Sequence, residues 1–285
     1  MQTQLILTPI SSFAPINTAY AIYNGTKNLL KAGLKLNQAI LLKRLKRSDT
    51  LVVLGAGDSL NSVSVKTWEQ LSTFDTAGLS YSVLLPIPLT YYFLETASRS
   101  RVEAMQLEKL LPLILDRVGS NSIQQVIWKN AEDTESVLAS NIPRHARLVS
   151  SWLLTRKKAV LKKSIRYARK LGLPDSFMMQ CAGSVFAISF WAHSIGYKRI
   201  IFAGIDLNGS KYFFVNNPAF EHLAIPNPLE HETREVSSSK HATNDPEIGI
   251  PMEDALMVLQ KETGIEMITL SSETALANFL PVFSA

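Results

Sequence analysis

Gly196-Tyr197-Lys198-Arg199-Ile200-Ile201-Phe202-Ala203-Gly204-Ile205-Asp206-Leu207-Asn208-Gly209-Ser210-Lys211-Tyr212-Phe213-Phe214 carries the plainest structural statement in the chain. The apolar run Ile200–Ala203 is short and unalternating, which is how a strand buried on both faces reads. The apolar segment Ser184–Ile195 before it has helical length, and Gly196 closes it. The strand stops in Gly-Ile-Asp followed by Asn-Gly, a break in both periodicity and polarity. In an open α/β sheet ligands lie outside the carboxyl ends of the strands, so Asp206 and the Asn208–Tyr212 loop mark the expected centre of a site.

The same grammar recurs upstream. Leu51–Leu54 is a second apolar strand, running into Gly55-Ala56-Gly57-Asp58-Ser59-Leu60. Strand, glycine turn and helix is a geometry that presents backbone N–H groups to a phosphate, and two glycines permit a close backbone approach. The turn is neither a Walker A loop nor a full Gly-x-Gly-x-x-Gly fingerprint. Asp58 is placed to cap the next helix, and its charge would repel a phosphate beside it. Arg101–Val118 has helical periodicity and Ile123–Trp128 reads as a strand. The alternation predicts an α/β domain with a mostly parallel sheet sandwiched by helices. Tyr92 and Phe93 read as core. Ala182-Gly183-Ser184 opens the helix ahead of the first-quoted strand with small residues, which lets a ligand approach its free N–H groups. His193, inside that helix, reads as a packed histidine.

At 285 residues, 46% hydrophobic and 19% charged, the chain can bury a large core. Its net charge of +5 favours anionic partners. A single cysteine, Cys181, excludes an intramolecular disulfide and a cysteine-built metal site, and fits a reducing, cytoplasmic setting. No apolar run approaches the roughly 20 residues of a spanning helix. Residues 1–25 read as a loosely structured lead-in and Asn28–Arg47 as a basic amphipathic helix, which packs on its own domain or lies on anionic lipid. Arg144–Lys170 is crowded with cations and reads as a helix with a solvated face. An anionic membrane surface ranks second for it, and nucleic acid last, for want of a binding module. Roughly Val215–Gly249 is irregular and long enough to be an active-site lid. Pro251–Thr263 returns to helix and Ile265–Leu270 to strand.

Taken in order, these motifs resemble the bacterial sialyltransferases of glycosyltransferase family forty-two. Gly55, Gly57, Ser59 and Leu60 match the family's Gly-x-Gly-x-Ser-Leu turn. Gly196-Tyr197-Lys198, Gly204-Ile205-Asp206, Asn208–Phe214, His241-Ala242-Thr243-Asn244-Asp245 and Leu276-Ala277-Asn278-Phe279 match later motifs. The resemblance covers roughly residues 51–60 and 183–280. It implies a Rossmann-like, GT-A-like single nucleotide-binding domain over 49–206 and 247–285. Residues 1–48 would be an N-terminal extension and 207–246 a lid.

The activity implied is inverting, metal-independent transfer of sialic acid, or a related acidic sugar, from its CMP donor to a hydroxyl of an oligosaccharide acceptor. No cofactor beyond that substrate is implied, nor nucleic acid. Surface-glycan assembly, a peripheral place on the inner membrane and a homo-oligomer are compatible with it. His241 stands at the family's lid histidine as general base, with His222 and His231 as alternatives. Tyr212 stands at the tyrosine that meets the leaving phosphate. Gly55, Ala56, Gly57, Ser59, Ser80, Gly183, Ser184, Gly204, Asp206, Leu207 and Asn208 would hold the nucleotide, Asp206 through a ribose hydroxyl. The chain departs from the family at Ala56 and Asp58, which replace Asn and Pro, and at Ser80, near an expected Asn. The loop after Asp206 is about two residues shorter, a second phosphate-binding tyrosine has no counterpart, and Gln180 or Cys181 stands where an arginine is expected. Two other readings remain: a nucleotide-binding protein with an eroded catalytic set, and a pterin diphosphokinase-like phosphotransferase.

Overall fold

The computed structural model describes residues 38–94, 101–128, 147–149, 151–154, 158–171, 177–181, 183–208, 211–225 and 250–284. Its centre is a sheet of seven strands: β1 (Thr50–Leu54), β2 (Asp75–Leu79), β3 (Leu89–Leu94), β4 (Ile123–Trp128), β5 (Arg147–Val149), β8 (Arg199–Ala203) and β9 (Glu266–Thr269). Their order is β5-β4-β3-β2-β1-β8-β9, and every pair is parallel. Among the described residues the sheet is parallel throughout, in line with the mostly parallel sheet that the sequence predicts. The expected strands at Leu51–Leu54 and Ile200–Ala203 lie side by side, with Leu51 opposite Ile200 and Leu54 opposite Ala203.

Helices cover both faces because successive strand residues point to opposite sides. Leu51, Val53, Tyr91, Phe93, Ile200 and Phe202 face one core, shared with α1 (Gln38–Leu45), α4 (Lys158–Leu171), α5 (Ser184–Ser194) and α6 (Met252–Thr263). Val52, Leu54, Tyr92, Val126, Ile201 and Ala203 face a second, closed by α2 (Val65–Leu71) and α3 (Arg101–Gly119). Of the basic segment 28–47 only α1 and the residues after it are described. Leu42 is fully buried there, and the Tyr91 hydroxyl donates to the Leu42 carbonyl at 2.9 Å. The packing alternative is therefore the one realised for this part; residues 1–37 lie outside the described residues.

Arg144–Lys170 is not one helix. It contains β5, then β6 (Ser151–Leu154), and only from Lys158 is it helical. β6 pairs in parallel with β7 (Phe177–Gln180) in a separate two-stranded sheet. Interleaved cations blur the period of Trp152-Leu153-Leu154, and its partner strand lies beyond the helix. The cations of α4 are partly spent within the fold. Arg166 and Lys162 reach Glu262 on α6 at 2.6 and 3.6 Å, and Lys158 reaches Asp254 at 2.6 Å. No helix among the described residues is long and apolar enough to cross a membrane.

Candidate functional site

The chain fills the sheet outward from β1 through β2, β3, β4 and β5, then returns to the other side of β1 with β8 and β9. The reversal falls between β1 and β8, where the connections leave the strands in opposite directions and a crevice can open above their carboxyl ends. The Gly55–Leu60 turn and the Gly204–Asn208 segment meet there.

They meet more tightly than a phosphate cradle allows. Gly55 N–H donates to the Ala203 carbonyl and Gly57 N–H to the Gly204 carbonyl, both at 2.8 Å. Ser59 N–H donates to the Asp206 carboxylate at 3.1 Å and Leu60 N–H to the Gly57 carbonyl at 3.2 Å. Four donors expected to face a ligand are therefore spent on the protein, which overturns the phosphate-cradle expectation for Gly55, Gly57 and Ser59. The glycines serve the junction instead. A Cβ at Gly55 would fall within 3.0 Å of the Gly204 carbonyl oxygen, and one at Gly57 within 3.0 Å of the Asp206 carboxylate. Gly204, at φ +66°, holds a left-handed conformation with the Leu60 side chain pressed on the same spot.

Asp206 is the hub of this junction. Only 6% exposed, its carboxylate accepts the Ser59 hydroxyl at 2.5 Å as well as the Ser59 N–H. The inward-turned carboxylate corrects the ribose-contact expectation, because both oxygens are engaged by the glycine turn. Its carbonyl accepts from Ala275 N–H at 2.8 Å, and the Asn208 side-chain amide donates to the Glu273 carbonyl at 3.0 Å. Both bonds tie the end of β8 to the segment leading into the 3-10 turn Ala275–Asn278, whose Leu276 is fully buried.

Tyr212 enters through its backbone, forming an antiparallel bridge with Gly57, while Phe213 N–H donates to the Ala56 carbonyl at 3.0 Å. The half-buried Tyr212 ring stacks on Phe214 (5.6 Å between centroids) and meets Tyr81 edge-on at 5.3 Å. Phe213 and Phe214 are buried in the second core and Asn61 donates to the Phe213 carbonyl at 3.0 Å. The described beginning of the expected lid, residues 207–225 without 209 and 210, thus packs onto the sheet domain.

Ser80, exposed where β2 ends, has φ +53°, and Leu207, where β8 ends, has φ +56°. Neither residue favours this region, and such strain concentrates at functional sites. The Tyr92 hydroxyl fixes the first by donating to the Ser80 carbonyl at 2.6 Å. Burial pushes the Tyr92 phenol well above the ordinary tyrosine range, so it stays a donor. Tyr92 is core, as its sequence context predicts, yet its one polar atom reaches the rim. Tyr81, Tyr92 and Asn61 escape the sequence reading because they belong to no motif. The only trace is that Tyr81 follows Ser80.

Gly183, at φ +111°, and Ser184 open α5. The helix is 11 residues long, about 16 Å at 1.5 Å per residue, and it ends just before the amino end of β8. Its start therefore lies toward the carboxyl edge. His193 is half-buried; burial first, then Arg169, holds its pKa below the usual value. His222 is not at this rim. It sits in the 3-10 turn Pro218–Leu223, beside a 370 Å³ cleft lined by Ile87, Pro88 and Ser122, which precede the amino ends of β3 and β4. That removes it as an alternative base. His231 and His241 lie outside the described residues. Among the described residues no group of three or more His, Cys, Asp or Glu is placed to hold a metal.

No protein-family model matches the chain, and no curated protein matches it in sequence. Solved structures do. The chain is similar to the sialyltransferase CstII from Campylobacter jejuni in complex with cytidine-5'-monophosphate, at 14% identity and a TM-score of 0.47, over 82% of this chain and 84% of that one. It is also similar to the monofunctional alpha-2,3-sialyltransferase Cst-I from the same organism, at 13% identity and 0.46, over 83% and 81%. A third is CST-II in complex with a trisaccharide acceptor and CMP, at 15% identity and 0.45, over 82% and 85%.

Proposed function

We propose that this protein is an inverting glycosyltransferase, moving sialic acid or a related acidic sugar from a CMP donor to a hydroxyl of a glycan acceptor. The observation that supports it is convergence. Three of the motifs that resemble one family as an ordered set, Gly55–Leu60, Gly204–Asp206 and Asn208–Phe214, are bonded to one another at a single rim, and the residue before Leu276 joins them. Ser59 meets Asp206 across 147 positions, Gly57 bridges Tyr212, and Ala275 binds Asp206. The rim lies at the topological switch point, where ligands of such sheets bind.

In the reaction the acceptor oxygen attacks the anomeric carbon as that carbon's bond to the CMP phosphate oxygen breaks. The acceptor proton goes to His241, whose ordinary pKa suits a base near neutrality. Negative charge grows on the departing phosphate, and the Tyr212 phenol donates to it. The rings of Phe214 and Tyr81 limit the rotamers of Tyr212, so little reorganisation is needed. Ser80, Leu207, Asn208 and the Gly183–Ser184 helix start flank the nucleotide. Ala56, Asp206, Gly55, Gly57, Gly204 and Ser59 shape the floor beneath it.

The spent N–H groups of the glycine turn favour a second reading, a nucleotide-binding protein without turnover. They count against a phosphotransferase, which needs those donors for a polyphosphate. Tyr212→Phe separates the first two. Transfer predicts CMP release that falls about a hundredfold in kcat, with CMP affinity by calorimetry little changed. Wild-type protein that binds CMP yet releases none from any CMP-sugar and acceptor pair ends the transferase reading.

A further inference from the structure

Beside the rim, above the carboxyl end of β9, lies a cleft of 310 Å³ that neither the motifs nor the nucleotide reading uses. Residues leaving β9 (Ser271, Ser272, Glu273) form one wall and residues following the glycine turn (Ser62, Ser64) the other, with Val282 and Phe283 at the end. From this composition we infer that the cleft is a subsite for a neutral saccharide of the acceptor. The inference rests on the glycan-transfer reading above.

Charge argues first. The chain carries a net charge of +5, yet among the described residues no cationic side chain lines the cleft, and its one ionisable group there is the Glu273 carboxylate. A phosphate or an acidic sugar would meet an anion with no lining cation to neutralise it. A neutral sugar offers what the lining lacks: hydroxyl donors for the carboxylate and the serine oxygens, and an apolar C–H face for Val282 and Phe283. Val282 is 44% exposed, an apolar side chain that a sugar face would cover.

Placement argues second. Glu273 is held at its backbone from two sides, its carbonyl by the Asn208 amide at 3.0 Å and its N–H by the Ser271 hydroxyl at 3.1 Å. Asn208 belongs to the rim, so the cleft is coupled directly to the nucleotide side of the site. Ser62 is tied to the glycine turn in the same way, its hydroxyl donating to the Ser59 carbonyl at 2.8 Å. A sugar seated here would rest against walls fixed by the residues that flank the donor, as an acceptor must.

Saturation-transfer NMR on the full chain tests the inference, with lactose and maltose as neutral probes and a heparin disaccharide as the anionic one. CMP calorimetry runs in parallel. Expected are contacts to the neutral sugars, weaker ones to the anion, and loss of the neutral signal in Ser272→Trp, an exposed position where a large ring fills the cleft without disturbing the core. Glu273→Gln should weaken the neutral sugars about fivefold, one charge-assisted hydrogen bond reduced to a neutral one. Neutral sugars that bind Ser272→Trp as well as wild type, that bind neither, or that lose to the anion overturn the subsite. Sugar binding that Ser272→Trp abolishes in a protein without CMP affinity leaves the cleft assigned and sinks the transferase reading.

Discussion

The two edges of the sheet solve the same backbone problem with different residues. At the amino edge, the left-handed positions before β4, β8 and β9 are Asn121, Gly196 and Gly264, residue types that accept that conformation at little cost. At the carboxyl edge, Ser80 and Leu207 occupy it, alongside Gly183 and Gly204. A buried aspartate organises each edge. Asp75, 1% exposed, accepts from the Tyr197 hydroxyl at 2.8 Å and from the Arg47 and Ser48 N–H groups. Around it Lys198 and then Lys46 hold the Asp49 carboxyl down at about 2. Asp206 instead ties the glycine turn and the segment before Leu276 to the end of β8. The strand starts at the amino edge are relaxed; the ends of β2 and β8 at the carboxyl edge carry strain, which at Ser80 the Tyr92 hydroxyl maintains. Strain kept where β2 and β8 end, and avoided where β4, β8 and β9 begin, points to work done at the carboxyl ends of the strands.

The division can be broken most forcefully at its two hubs. Asp75→Ala and Asp206→Ala should each cost about 3 kcal/mol in denaturant unfolding, because each orphans buried donors. Only Asp206→Ala should also abolish CMP binding in the protein that remains folded. Equal loss of CMP affinity in both would erase the distinction between the edges. Smaller and opposite in sign, Ser80→Gly, at an exposed position, should raise stability by about 1 kcal/mol while turnover falls. Gly264→Ala at the amino edge should lower stability by a similar amount. Gains in both stability and turnover would mean that the strain at Ser80 serves nothing. The smallest effect belongs to His193, near the amino end of β8. Its folded pKa lies below the ordinary 6.5, so the unfolded chain takes up its proton first as pH falls. That stability is whole above 6.5 and declines below it; His193→Gln should flatten the melting temperature between pH 7 and 5.

Much of this frame is legible in residue order, and the illegible parts share a cause. Leu51–Leu54 and Ile200–Ala203 announce themselves because a strand buried on both faces needs an unbroken apolar run. Asp75–Leu79, reading Asp-Thr-Ala-Gly-Leu, does not, since its Asp is the amino-edge hub and its Gly makes room for the Ser82 hydroxyl and Leu89. The glycine turn is located correctly and its purpose misread. What consumes the N–H groups of Gly55, Gly57 and Ser59 is carried by β8, far along the chain, and local spacing cannot express that. The same holds for Asp206, whose type suits a ribose but whose carboxylate faces Ser59. Tyr92, fixing the backbone of Ser80, is invisible for a different reason: its hydrophobic context fully explains a core residue, and only its hydroxyl does more.

One consequence of the strand order concerns how the chain comes off the ribosome. β1 is an interior strand of the sheet, yet one of its two neighbours, β8, is encoded far downstream; Ser59 and Asp206 are separated by 147 positions. At roughly 5 to 20 residues per second, that interval lasts on the order of ten to thirty seconds. Throughout it the Thr-Leu-Val-Val-Leu strand presents an open, apolar hydrogen-bonding edge, which in a finished protein would invite pairing with another chain. Newly made protein should therefore be most prone to aggregate through β1, and a nascent-chain chaperone has its most valuable target there rather than in any loop.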